Sequence, residues 1–136
     1  MVTRKLETME DRKVVFLAED DEDDQLLFKE AFEELRLPHE LVICPDGVAL
    51  VDSVLKRRPE RIATIFLDLN MPRMNGVQCM EELSGMAGYR AIKRIVMSTS
   101  LPPSGELGSE ANSDHLFVLK PAHFGELKSL IARALQ

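Results

Sequence analysis

The chain has 136 residues, of which 45% are hydrophobic, and carries a formal charge of −6. This length fits one domain, and the negative charge argues against a nucleic-acid surface, which needs clustered Lys and Arg. Residues 1–13 are rich in charge and no apolar run approaches a membrane span, so we expect a cytoplasmic protein without a signal peptide or membrane partner. We predict an N-terminal extension over residues 1–12 and one domain over residues 13–136.

Five short apolar runs predict the strands of a parallel sheet that is buried on both faces. Between these runs, apolar residues recur at helical spacing. The runs are Val14–Ala18, Leu41–Cys44, Ile62–Leu67, Ile95–Met97 and Leu116–Leu119. Because alternating strands and helices imply right-handed crossovers, we predict a doubly wound α/β fold with five strands and helices on both faces.

The segment after the fourth predicted strand interrupts this pattern. Residues 101–109 contain two prolines and two glycines, which break any apolar helical face. We therefore expect the fourth helix to be short or irregular. A tolerated surface loop is the favoured interpretation, and a partner-facing surface of altered shape is the alternative.

Four of the predicted strands end on residues that are suited to hold a metal ion or a phosphoryl group. These residues are Glu19 and Asp20, then Asp68, Ser98 and Lys120. In an open parallel sheet, ligands bind beyond the carboxyl ends of the strands, so residues that are distant in sequence become neighbours there. The sequence thus predicts one shared site.

The acidic residues after the first strand have two interpretations. At the strand end, the like charges of Glu19 and Asp20 repel each other unless a cation is present, and Mg²⁺ suits a site of carboxylates, waters and phosphate oxygens. The next acids complement the dipole at a helix N-terminus, which suffices to explain them without a further role. They are Glu22, Asp23 and Asp24.

Each of the other strand-end residues is ambiguous when taken alone. Asp68 is either a cap of the next turn or an aspartyl nucleophile that attacks phosphorus. Lys120 is either a solvated lysine or a point charge for phosphate. The Ser98 hydroxyl is able to donate to a phosphoryl oxygen, which is a weak signal by itself. Only the combination indicates a phosphorylation site.

Taken together, these residues resemble the receiver domain of two-component response regulators, the CheY-like family, over residues 13–136. The motifs that carry the resemblance are Phe16-Leu17-Ala18-Glu19-Asp20-Asp21, Asp68-Leu69-Asn70-Met71-Pro72, Asn75-Gly76, Ser98 and Lys120-Pro121. Asp68 precedes Ser98 by 30 positions and Lys120 by 52, as is usual in the family. The sequence of residues 67–76 is similar to the corresponding sequence of small stand-alone regulators that partner bacterial phytochromes.

The resemblance implies the flavodoxin-like strand order 2-1-3-4-5 and a phosphoryl group on Asp68. The donor would be a phosphohistidine on a sensor histidine kinase, of the phytochrome type, or on a histidine phosphotransfer protein. Mg²⁺ would be bound directly by Asp20 and Asp68, through water by Glu19, and by the backbone carbonyl of Asn70.

The resemblance also implies a switch. Ser98 would occupy the position of the hydroxyl that moves to meet the phosphoryl group, and Lys120 would contact a phosphoryl oxygen. Phe117 matches the rotating aromatic residue of the family, although it is equally well explained as a core side chain. Thr99 departs from the family pattern, because a smaller residue commonly follows the switch hydroxyl.

Two functions remain open at this point. The first is a phospho-accepting switch without an effector, which catalyses only its own phosphorylation and dephosphorylation and signals by docking or phosphorelay. The alternative is a non-phosphorylated interaction module that keeps the receiver fold. A hydrolase is disfavoured because Asn70 stands where a second Asp would serve as acid-base catalyst. Homodimer formation is left open.

Overall fold

The structure is a computed structural model, and it describes residues 12–69, 76–99 and 115–135. Strands and helices alternate along the described chain as far as the fourth strand, and residues 100–114, between the fourth and fifth strands, lie outside the description. In chain order the elements are β1 (Lys13–Ala18), α1 (Glu22–Glu34), β2 (His39–Cys44), α2 (Gly47–Leu55), β3 (Ile62–Asp68), α3 (Gly76–Ser84), β4 (Arg94–Ser98), β5 (His115–Leu119) and α4 (Phe124–Ala134). A single 3₁₀ turn, Pro59–Arg61, precedes β3.

The five strands form one parallel sheet in the order β2-β1-β3-β4-β5. This order confirms the predicted doubly wound fold. The register aligns the carboxyl ends of neighbouring strands: Ala18 lies opposite both Cys44 and Leu67, and Ser98 lies opposite Leu119. Residues that end or directly follow the strands therefore share one edge of the sheet.

Side chains of the buried strands alternate between two hydrophobic cores, one on each face of the sheet. Phe16 of β1 belongs to the core beneath α2 and α3, whereas Leu17 belongs to the core beneath α1 and α4. The helices of each pair also contact each other. In the second core, Phe28 of α1 meets Phe66 of β3 edge to face, with 5.0 Å between the ring centroids. Helices thus cover both faces, as predicted.

The junction between β1 and α1 is fixed by local hydrogen bonds. Asp21 is the N-cap of α1, and its carboxylate accepts the backbone N–H groups of Asp23 and Asp24 at 2.8 and 3.1 Å. The side-chain amide of Gln25 donates to the carbonyl oxygen of Glu19 at 2.6 Å. The first turn of α1 is therefore held against the end of β1.

A buried arginine ties the start of β4 to the chain that follows α3. Arg94 has no exposed surface; its guanidinium donates to the hydroxyl of Ser84 at 3.0 Å and to the carbonyl oxygen of Tyr89 at 2.5 Å. Because β4 ends at Ser98, these bonds help to fix the strand that carries the predicted switch residue.

Two of the predictions fall partly or wholly outside this description. Residues 101–109, which are expected to leave the fourth helix short or irregular, lie outside the described residues. The division into an extension, 1–12, and a domain, 13–136, stays a prediction. Within the described part of the chain, no helix is long and apolar enough to cross a membrane.

Truncation of the central aromatic side chain should strongly destabilise the fold. Phe66 is fully buried, so we expect Phe66→Ala to lower the free energy of unfolding by about 3–5 kcal/mol through lost burial and an unfilled cavity. Urea denaturation followed by circular dichroism measures this loss. Leu26→Ala is the control: Leu26 is 55% exposed, so its loss should stay within about 0.5 kcal/mol. Equal losses in the two variants would contradict the core assignment.

Candidate functional site

The aligned strand ends bring the predicted site residues to one edge of the sheet. Backbone hydrogen bonds continue the sheet beyond the ends of the strands. In each bond an N–H group donates to a carbonyl oxygen of the neighbouring strand, at 2.7–2.9 Å: Glu19 to Cys44, Leu69 to Met97, and Lys120 to Ser98. The register of the sheet, rather than loop conformation, therefore sets the positions of these residues.

Three carboxylates converge at this edge. One oxygen each from Glu19, Asp20 and Asp68 lies within 4.8 Å of the others. Glu19 and Asp68 are buried, at 2% and 8% exposure, whereas Asp20 is exposed. Such a set of hard oxygen donors, open to solvent on one side, suits a divalent ion that keeps waters and accepts phosphate oxygens. The residues present thus fit the predicted Mg²⁺.

The ammonium of Lys120 lies among acidic side chains. Its Nζ is 2.8 Å from Oε1 of Glu19, 2.8 Å from Oδ2 of Asp24 and 3.5 Å from Oδ2 of Asp68. The Lys120 side chain is 19% exposed, so it is not the solvated lysine of the alternative interpretation. It directs its charge into the cleft next to Asp68.

Burial and pairing shift the pKa values of this pair. Burial raises the pKa of Glu19 to about 7, although hydrogen bonds from Lys120 and from the N–H of Asp21 partly offset that rise. Burial opposes the charge of Lys120, but its hydrogen bonds to Asp24 and Glu19 outweigh that effect and raise its pKa. Lys120 therefore stays charged at neutral pH.

Among the described residues, the formal charges at this edge do not balance. Glu19, Asp20, Asp24 and Asp68 contribute four carboxylates when ionised, and Lys120 contributes a cation that contacts three of them. A second cation would therefore find a favourable potential here, which agrees with the donor set for a divalent ion.

The remaining predicted residues differ in their exposure to solvent. Ser98 ends β4 and is 3% exposed. Thr99, directly after it, is exposed. Phe117 lies in β5, opposite Val96, and packs half-buried against the core beneath α2 and α3, which agrees with the core interpretation. Asn70 lies outside the described residues.

Asp24 is a site residue that the sequence interpretation missed. We expected it only to complement the helix dipole, but its carboxylate also accepts a hydrogen bond from Lys120 at 2.8 Å. The available signal was its place in the first turn of a helix that begins directly after the predicted site residues Glu19 and Asp20.

Removal of the Lys120 charge should destabilise the metal-free protein, because the buried carboxylates of Glu19 and Asp68 would lose their cation. We expect Lys120→Met to lower the free energy of unfolding by about 1–3 kcal/mol at neutral pH in EDTA, less than a fully buried pair would lose. Adding Glu19→Gln should recover part of that loss, since it removes the most deeply buried charge. Urea denaturation of the single and double variants measures both effects.

Lys128→Met is the matched control for this prediction. Lys128 pairs with Glu34 at 3.0 Å on the surface between α1 and α4, and exposed pairs contribute at most about 1 kcal/mol. If both lysine variants lost the same stability, or if Glu19→Gln gave no recovery, the proposed charge balance would be wrong.

Known proteins share both the sequence pattern and the fold of this chain. The family model of the response regulator receiver domain matches residues 15–132. Response regulator Rcp1 from Synechocystis sp. (strain ATCC 27184 / PCC 6803 / Kazusa) is 32% identical over 93 residues, which are 65% of this chain and 63% of Rcp1. The matched part of the chain thus spans less than two thirds of that relative.

Two solved structures extend the comparison. The phosphorylated cyanobacterial phytochrome response regulator RcpA superimposes with a TM-score of 0.74 and 27% identity, over 88% of this chain and 89% of RcpA. The Mn²⁺-bound form of Rcp1 has the same fold, with a TM-score of 0.76 and 24% identity over 91% of this chain and 95% of that one. The chain therefore belongs to the response regulator receiver domain family, and its relatives include regulators associated with phytochromes.

Proposed function

We propose that this receiver domain accepts a phosphoryl group on Asp68 from a phosphohistidine and signals through the charge that it gains. The observation that carries the proposal is the position of Asp68, a buried carboxylate that shares one cleft with two further carboxylates and an ammonium. An interaction module has no need to bury those charges together, because buried charges are costly unless they are used or paired.

The reaction would be an in-line transfer of the phosphoryl group. A carboxylate oxygen of Asp68 forms a bond to phosphorus, the P–N bond to the donor imidazole breaks, and the imidazole keeps that electron pair. The product is an acyl phosphate. Such a transfer depends on positioning and charge neutralisation more than on acid-base chemistry, so the proposed activity needs no further catalytic acid.

The neutralising charge would come from two sources. Asp20 and Asp68 would hold Mg²⁺ directly and Glu19 through water, with the backbone carbonyl of Asn70 as a further ligand. When bound, the ion supplies positive charge to the phosphoryl oxygens and to the crowded carboxylates. Rcp1, a protein of the same fold, has been solved with Mn²⁺ bound. Lys120, 3.5 Å from Asp68, would supply the second charge.

The switch would follow from the new charge on Asp68. A phosphoryl group adds charge and strong acceptor oxygens, which Lys120 and the hydroxyl of Ser98 would engage from two neighbouring strand ends. Phe117, on the strand next to Ser98, would respond as the family's rotating aromatic residue does. We propose no turnover of external substrates beyond the domain's own phosphorylation and dephosphorylation.

The proposed donor is a sensor histidine kinase of the phytochrome type or a histidine phosphotransfer protein. The similarity to RcpA, a phytochrome response regulator, supports the first of these. A pocket beside Lys120 between α1 and α4 would offer apolar contacts to such a partner, because Leu27, Phe28 and Leu127 line it and Leu27 is 41% exposed.

Phosphorylation by a small donor tests the proposal directly. After incubation with acetyl phosphate and Mg²⁺, we expect intact-mass spectrometry to show a gain of one phosphoryl group that is labile to base. Asp68→Asn should abolish this gain while the fold is retained, because the nucleophilic oxygen is replaced by an amide.

Asp46→Asn serves as the matched control, since Asp46 caps α2 near the same edge of the sheet but lies outside the carboxylate cluster. That variant should still gain the phosphoryl group. A gain retained by Asp68→Asn would show that another residue is modified. No gain with either acetyl phosphate or purified histidine kinases would favour the interaction module.

Metal binding provides a second, independent test. At a tenfold excess of Mg²⁺ over its dissociation constant, binding should stabilise the native chain by about 1.4 kcal/mol, seen as a saturable rise in Tm. Asp20→Asn should remove most of this rise, because it replaces a charged oxygen of the cluster, a proposed direct ligand, with a neutral amide. Asp23→Asn, which removes an equal charge outside the cluster, should retain it; loss of the rise in both variants would indicate general electrostatics rather than a site.

A further inference from the structure

The ammonium of Lys120 has an acceptor that does not belong to the strand ends. Besides Glu19, it donates to Oδ2 of Asp24 in the first turn of α1, and both distances are 2.8 Å. Asp68, the proposed phosphorylation site, lies further away at 3.5 Å. In this state the lysine is therefore shared mainly between Glu19 and Asp24.

The fold holds Asp24 in this position. Its backbone N–H donates to the N-cap carboxylate of Asp21 at 3.1 Å, and the N–H of Gln25 donates to the carbonyl of Asp21 at 2.9 Å. The side chain of Gln25 in turn binds the carbonyl of Glu19. The first turn of α1 is therefore held by hydrogen bonds to Asp21 and to the end of β1. These bonds fix the backbone of Asp24 near Lys120.

The two nearest acidic partners of Lys120, Glu19 and Asp24, would be destabilised to different degrees if the lysine moved away. The Glu19 side chain is 2% exposed, so a carboxylate left there without a cation would be poorly solvated. The Asp24 side chain is 39% exposed and lies at a helix N-terminus, where water and the helix dipole still stabilise its charge. Asp24 is therefore the partner that Lys120 leaves more easily.

We propose that Asp24 is a positioning residue that competes with a phosphoryl group on Asp68 for the ammonium of Lys120 and thereby weakens phosphoryl binding at the site. This inference rests on the proposed function. Lys120 approaches the phosphoryl oxygens by giving up its contact with Asp24, so the strength of that contact is subtracted from the stabilisation of the phosphorylated state. Asp24 thus influences the equilibrium between the resting state and the phosphorylated state.

The test is calorimetric titration with trifluoroberyllate, BeF₃⁻, which binds a carboxylate oxygen as a phosphoryl mimic, at saturating Mg²⁺. Asp24→Asn should bind the mimic about two- to five-fold more tightly than the natural chain, the range expected when a partly exposed ion pair no longer competes. Asp23→Asn is the matched control: it removes one charge from the same exposed turn without a described contact to Lys120, so its affinity should equal that of the natural chain.

A double-variant cycle separates competition for the lysine from a general effect on the helix. In a Lys120→Met background, Asp24→Asn should no longer change the affinity for BeF₃⁻. A gain that persists without Lys120, an equal gain in Asp23→Asn, or no gain in Asp24→Asn would each overturn the role of Asp24. If the natural chain bound no BeF₃⁻ at all, the proposed function itself would fail, and this inference with it.

Discussion

One constraint dominates the described part of the sheet's carboxyl edge: several carboxylates are crowded around the ammonium of Lys120. Lys120 contacts Glu19, Asp24 and Asp68 at once, and it is held mainly by the first two. Lys120 alone does not neutralise these carboxylates, so the edge favours the arrival of positive charge. Under the proposed function, Asp68 would accept a phosphoryl group only when a divalent ion is bound, because the transferred group brings further negative charge.

Parallel strand pairing is what makes this crowding possible. The predicted site residues end or follow four strands, β1, β3, β4 and β5, and a parallel sheet brings those ends to one edge without the help of long loops. The hydrophobic cores on both faces fix the register, since a slip by one residue would exchange the faces of residues such as Phe16 and Leu17. The chemistry of the edge is thus a direct consequence of burial on both sides of the sheet.

The sequence predicted the strand-end residues because the signal is local: an apolar run stops, and the next residue has the required chemistry. Contacts that depend on how elements pack could not be predicted in this way. Asp24 and Lys120 are 96 positions apart, and a first-turn aspartate already has a sufficient local explanation in the helix dipole. Arg94 is a similar case, because an arginine at the start of a predicted strand does not indicate that it will be fully buried against Ser84 and Tyr89.

The junction of β1 and α1 contributes two kinds of acidic side chain to the carboxyl edge of the sheet. Glu19 and Asp20 directly follow β1 and belong to the carboxylate cluster, whereas Asp24 lies in the first turn of α1 and contacts Lys120. Asp21 and Gln25 bind backbone groups between them, so the two functions share one rigid frame. Because the buried Glu19 needs a cation and the half-exposed Asp24 does not, a cation that takes over Glu19 would leave Lys120 held by its weaker partner. Under the proposed function, metal binding and the release of Lys120 would therefore be linked through the same short segment of chain.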